Sequence, residues 1–284
     1  MNRFAKLALA AAFTAALVPA VAQAHRQWIL PSATALSGNN PWVTFDAAVS
    51  SEVFYFDAAP LRLADAGPPP QGMPNMPGAA LRITAPDGTD AKAENAAAGR
   101  LRTVFDLHVT QNGTYKIAAV NEGVFASYKD NGQTKRWRGA AEDLAKAVPA
   151  DAVDLQVTQT FARVETFVTL GKPTDTVFKA AGTGLELIPV THPNNLFAGE
   201  TASFKVLLDG KPATDVEVEI VPGGNRYRFK LGDVVTHTDA EGLFTATWPT
   251  AGMYWVGMSV EDGKSAIKGA KRRASYAATF EVLQ

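Results

Sequence analysis

Short runs of β-branched and aromatic residues, each closed by a turn signal, constrain this chain more than any other feature. Trp42–Phe45, Val53–Phe56, Leu101–Phe105, Tyr115–Ala118 and Ala162–Val168 are such runs. They have the length of strands and lack the 10 or so residues that a buried helix needs. Between them stand Pro86-Asp87-Gly88, Asn112-Gly113, Asn131-Gly132, Asp209-Gly210-Lys211-Pro212 and Asp239–Gly242, all combinations that bend a chain back on itself. Several runs alternate apolar with polar residues, as half-buried antiparallel strands do. The predicted class is therefore all-β, with two immunoglobulin-like β-sandwiches. One short helix is expected over Ala140–Val148, stopped by Pro149.

The strand pattern lapses between residues 171 and 184, where Gly171-Lys172-Pro173-Thr174-Asp175 and Ala180-Ala181-Gly182-Thr183-Gly184 carry little periodicity. A fresh series starts at Leu185. The expected division is a leader over residues 1–24, an N-terminal β-sandwich over 25–180 and a C-terminal sandwich over 181–284.

The leader has the three parts of an export signal in order. Arg3 and Lys6 are its positive start, Leu7–Val18 its apolar stretch, and Ala22-Gln23-Ala24 a small-residue cleavage site. The apolar stretch falls short of the roughly 20 residues that span a bilayer. A periplasmic product is expected, with no membrane span after cleavage. The chain has no cysteine, so neither disulfides nor a thiolate metal site enter the reading. Its 27 Lys and Arg against 28 Asp and Glu, less the two cations of the leader, leave a balance that does not suit nucleic acid as a partner.

Cleavage after Ala24 makes His25 the first residue. A free α-amine beside its own imidazole closes a chelate ring through the amine and Nδ1, and an amine with a pKa of about 7.7 yields its proton to a metal at neutral pH. Two nitrogen donors select copper, nickel or zinc over calcium or magnesium. Further ligands must then come from elsewhere in the fold. The plain alternative is that His25 simply begins a strand.

The segments "AHRQWILPS", "GLELIPVTHPNNLFAGETASFKVLLDGKPATDVEVEIVPGG" and "TDAEGLFTATWPTAGMYWVGM" resemble the periplasmic domain-of-unknown-function family DUF4198, associated with nickel-transport accessory proteins. The resemblance covers nearly the whole mature chain. It implies metal handling or delivery, with His25 the functional position carried over.

Of the three other histidines, His192 and His237 are candidates for the second ligand, each with the plain alternative of a solvated surface residue. His192 sits in Thr191-His192-Pro193-Asn194-Asn195, a loop at the end of the second module. His237 stands two residues before Asp239, so the two share a strand face. His108 shares the face of Asp106 and is read as surface. The metal ligands put forward are His25, His192 and His237. Met73 and Met76 offer thioethers in a proline-rich loop. Arg226-Tyr227-Arg228-Phe229-Lys230 and Lys268, Lys271, Arg272 and Arg273 offer guanidinium forks and ammonium groups for a carboxylate or phosphate, or else they are solvated edge charges.

No nucleophile elbow, H-E-x-x-H motif, phosphate loop or dinucleotide fingerprint is present in the sequence. The expected function is non-catalytic: a periplasmic accessory protein that binds a transition metal ion or metal chelate and assists its uptake or delivery. A membrane transporter or outer-membrane receptor is the expected partner. A second reading is a β-sandwich receptor-accessory or adhesion protein that binds no metal. A third is a copper oxidase built on an N-terminal histidine, which needs a second histidine beside the first.

Overall fold

The computed structural model describes residues 25–73, 77–262 and 264–284. The leader and Met76 lie outside the described residues. The architecture is mostly strand, in three sheets, as the turn-punctuated runs predict.

Counting strands of four residues or more, the first sheet contains β1 (Arg26–Pro31), β2 (Trp42–Ser50), β4 (Glu94–Ala98) and β5 (Thr103–His108), in the order β1-β2-β5-β4. Its burial alternates strictly along β5, which sends Phe105 and Leu107 inward and leaves Asp106 and His108 outside. The second sheet carries β3 (Ala80–Thr84), β6 (Gly113–Asp130), β7 (Gln133–Gly139), β8 (Val153–Leu170), β11 (Glu217–Pro222), β12 (Val234–His237), β14 (Gly252–Asp262) and β15 (Lys271–Val282). Its order is β12-β11-β14-β15-β8-β6-β3, with β7 also on the edge of β6. The third sheet holds β9 (Leu185–Pro189), β10 (Thr201–Leu208) and β13 (Leu243–Thr247).

The second sheet is common to both halves of the chain. Strand β8, from the first half, pairs in parallel with β15, from the second, from Thr158↔Lys271 to Thr166↔Thr279. The stretch Val164–Leu170 is buried throughout because each of its faces meets a different core. Val164, Val168 and Leu170 join Trp28, Phe45, Phe105 and Tyr115 in the first core. Phe167 joins Phe204, Trp248, Tyr254 and Phe280 in the second. There Phe204 and Phe280 stack at 5.3 Å, and the edge of Trp248 meets Tyr254 at 5.1 Å. Each such ring removed from water contributes on the order of 2 kcal/mol. The sheet between the cores is thus a shared wall, and residues 171–184 lead from β8 in that wall to β9 in the third sheet.

Two expectations shift locally. The predicted strand Val53–Phe56 is a turn, with Phe54 at φ 61°. Its apolar side chains serve as a lid: Phe54 and Phe56 pack on Trp28 with centroids 5.6 and 5.4 Å away. Core coverage, rather than strand pairing, accounts for their hydrophobicity. The predicted helix is a 3-10 turn over Ala141–Asp143 running into one α-turn, Leu144–Ala147, and the chain leaves helical geometry at Val148, just before Pro149.

Candidate functional site

Where the first sheet stops covering the second, a groove of about 950 Å³ opens. Strand register builds its floor. Val164, Ala277, Gly257, Glu219 and Val235 stand side by side across β8, β15, β14, β11 and β12. One step further along, Ala162, Ser275 and Ser259 form the next row, and beyond them come Thr160, Arg273 and Glu261. Residues two apart share a face, so these rows all present side chains to the groove. Most are small, which is why the floor is low.

The wall at one end is the start of β1. Arg26 reaches Glu219 at 2.5 Å, and its guanidinium carbon lies 5.4 Å from the centre of the Trp255 ring. The indole N–H of Trp255 donates to the carbonyl of Gln27 at 2.9 Å. The same ring lies across Gly257, where an added β-carbon would collide with Cη2 and Cζ2. The opposite wall is the β6–β7 hairpin, through Phe125 and Arg138.

His25 lines this groove. His237 stands directly opposite Glu217, another lining residue, on the neighbouring strand, so it projects from the same face. The acidic groups Glu217, Glu219 and Asp233 gather at this end. Among the described residues no three His, Asp or Glu side chains converge closely enough to hold a metal ion by themselves.

His192 lies elsewhere. Its Nδ1 accepts the backbone N–H of Asn194 at 3.1 Å, which leaves the proton on Nε2 to donate to Oγ1 of Thr114 at 2.9 Å. Thr114 passes the chain to Thr169 at 2.9 Å, and Thr169 donates to Oδ1 of Asn194 at 2.8 Å. The ring of hydrogen bonds closes on itself. Burial holds the imidazole below its ordinary pKa of 6.5, against a smaller upward pull from Asp175. Thr169 is five residues from Val164 along β8, about 17 Å, and three strand spacings, about 14 Å, separate β8 from Glu219. His25 and His192 therefore do not share a site, and both ring nitrogens of His192 are committed to the fold. His108 stacks on Trp42 at 4.5 Å, outside the groove.

The basic clusters divide by strand alternation. Arg272 turns inward, 9% exposed, and clamps Asp209 and Asp262 at 2.7 Å each; Arg273 lines the groove, and Lys271, paired with the lining residue Thr158, stands on the same face of the sheet. Arg226 is spent on Tyr55 and Glu52, and Arg228 on the carbonyls of Pro222 and Leu231. Tyr227 and Phe229, 88% and 111% exposed, project from the same loop.

Sequence reasoning did not single out Glu217, Glu219, Trp255 or Arg138. The one local signal was the spacing of E-x-E and of W-x-G on strands, which puts each pair on one face.

A family model described as "Domain of unknown function (DUF4198)" matches residues 22–262. No curated protein matches the chain. Solved structures with some likeness include the D0-D1 domain of intimin, 14% identical over 90% of this chain and 97% of that one, TM-score 0.21. Trypsin-activated alpha-2-macroglobulin from Escherichia coli is also 14% identical, over 90% of this chain and 16% of that one, TM-score 0.23. The human OSCAR ligand-binding domain is 12% identical over 91% of this chain and 100% of that one, TM-score 0.21.

Proposed function

For a chain that belongs to the family described as Domain of unknown function (DUF4198), we propose a periplasmic binding protein that takes a transition metal ion or metal chelate at the His25 end of the groove. It holds this cargo for uptake or delivery and performs no catalytic step. The observation that carries the reading is the position of His25 on the groove, at the end where Glu217 lies with His237 opposite it in register. An imidazole and a terminal amine supply two nitrogens, and Glu217 and His237, on the same face, add a carboxylate and an imidazole of the kind a borderline metal takes.

His237 replaces His192 as the second histidine in this reading, because the nitrogens of His192 are already engaged. Copper, nickel and zinc all remain compatible with the donor set. A membrane-bound transporter or receptor is the proposed recipient, and the exposed pair Tyr227 and Phe229 beside the groove residue Leu231 is its proposed contact.

The test uses the secreted protein, with intact mass to establish whether His25 is its first residue. Titration calorimetry with Cu(II) and Ni(II) is expected to give about one equivalent. Affinity should fall at least tenfold with His25→Ala, or with one residue added before His25, and should fall with His237→Ala. His192→Gln should bind as the parent does. Equal affinity across all these proteins rejects the site.

A further inference from the structure

The far end of the groove has the opposite charge. Arg138, Phe125, Thr158 and Lys271 form one row across β7, β6, β8 and β15, and Arg273 stands two residues beyond Lys271 on the same face. Among the described residues Arg138, Lys271 and Arg273 make no ion pair. Glu261 is opposite Arg273 in register and does not close on it. Arg272, between the two free cations in sequence, is by contrast clamped by two carboxylates. The protein thus closes ion pairs on one face of β15 and leaves its cations unpaired on the other. Ser275 and Ser259, paired across β15 and β14 on the floor, have hydroxyls with no hydrogen-bond partner among the described residues.

Size narrows the ligand. About 950 Å³ is at the upper end of the range for small organic molecules, roughly 300–1,000 Å³, and far exceeds what a bare ion needs. A pole of free guanidinium and ammonium groups, about 14 Å across from Arg138 to Lys271 by strand spacing, attracts oxyanions, and Arg binds a carboxylate with two parallel hydrogen bonds. The carboxylate and imidazole pole lies at the opposite end.

We propose that the Arg138, Lys271 and Arg273 end of the groove binds the carboxylates of a small organic polyacid, and that the cargo arrives as the metal chelate of that acid. Phe125 packs on the carbon skeleton, and Ser259 and Ser275 hydrogen-bond the acid along the floor. This inference rests on the metal reading for the second pole only; the anion pole stands or falls separately.

Calorimetry of the mature protein with three probes tests this: citrate, Ni(II) alone, and Ni(II) with excess citrate. The parent should bind citrate, and nickel citrate at least tenfold more tightly than either component. Arg138→Gln with Arg273→Gln should lower citrate and nickel citrate affinity at least tenfold and leave Ni(II) alone unchanged. His25→Ala should lower Ni(II) affinity and leave citrate affinity unchanged. Citrate binding that falls with the arginine variant while Ni(II) never binds supports the anion pole and rejects the metal reading. Failure of citrate and nickel citrate to bind, no change with the arginine variant, or equal binding of inorganic phosphate overturns the proposal. Circular dichroism of the variants confirms that they are folded; both arginines are exposed.

Discussion

The indole of Trp255 lies across the α-carbon of Gly257, its neighbour two residues along the same face of β14. A glycine in mid-strand ordinarily weakens a sheet. Here its missing side chain is the seat of a ring that also holds Arg26 and the carbonyl of Gln27. These contacts, with the packing of β1 on β8 and β15, hold the start of the first sheet against the shared second sheet, and the position of His25 follows from them.

Gly257→Ala should dislodge the ring. Overpacking of this kind costs about 1–3 kcal/mol, measurable as a lower urea midpoint, with a red-shifted tryptophan emission as the indole meets water. Metal affinity should fall with it, because Arg26 and His25 lose their anchor. An unchanged midpoint and emission would mean that the ring does not occupy this seat in solution.

Adjacent in sequence, Arg272 and Lys271 should respond very unequally to substitution. Removing Arg272 leaves Asp262, 18% exposed, without its partner, and breaking such a pair costs about 2–4 kcal/mol. Arg272 also holds Asp262 below the usual carboxylate range, so Arg272→Met should shift the acid unfolding transition to higher pH. Lys271→Gln, on the solvated face, should change stability by less than about 0.5 kcal/mol.

The His192 ring of hydrogen bonds makes stability depend on pH. The unfolded histidine takes up a proton near pH 6.5, while the folded one, held lower by burial, resists it. The unfolded state then binds more protons, so this contribution is fully present above pH 6.5 and declines as pH falls from there toward the folded value. His192→Gln should flatten that decline. It should also cost about 1–2 kcal/mol at pH 7.5, because the N–H of Asn194 loses its acceptor. Urea unfolding of both proteins between pH 5.5 and 7.5 measures the two effects, and parallel profiles would remove His192 from the account.

Local patterning determined the class. Runs such as Ala162–Val168 and turns such as Asn112-Gly113 had only one use, since alternating apolar residues and left-handed turn positions such as Gly113, at φ 122°, act within a few residues of chain. The alternation that put His108 outside and Leu107 inside was legible for the same reason. The lack of strand over residues 171–184 was legible too, because it is a local absence of pattern.

Only the tertiary structure decided which strands are neighbours. The parallel pairing of β8 with β15 joins residues more than a hundred positions apart, and no local propensity encodes it. That pairing sets Ala162 beside Ser275, separates His192 from His25, and turns Arg273 to the groove while Arg272 goes inward. Val53–Phe56 shows the same limit from the other side: the run was apolar because it lids Trp28, and composition records the need for burial without recording what does the burying. Sequence thus fixed which residues have donor chemistry, and long-range register fixed which donors share a face.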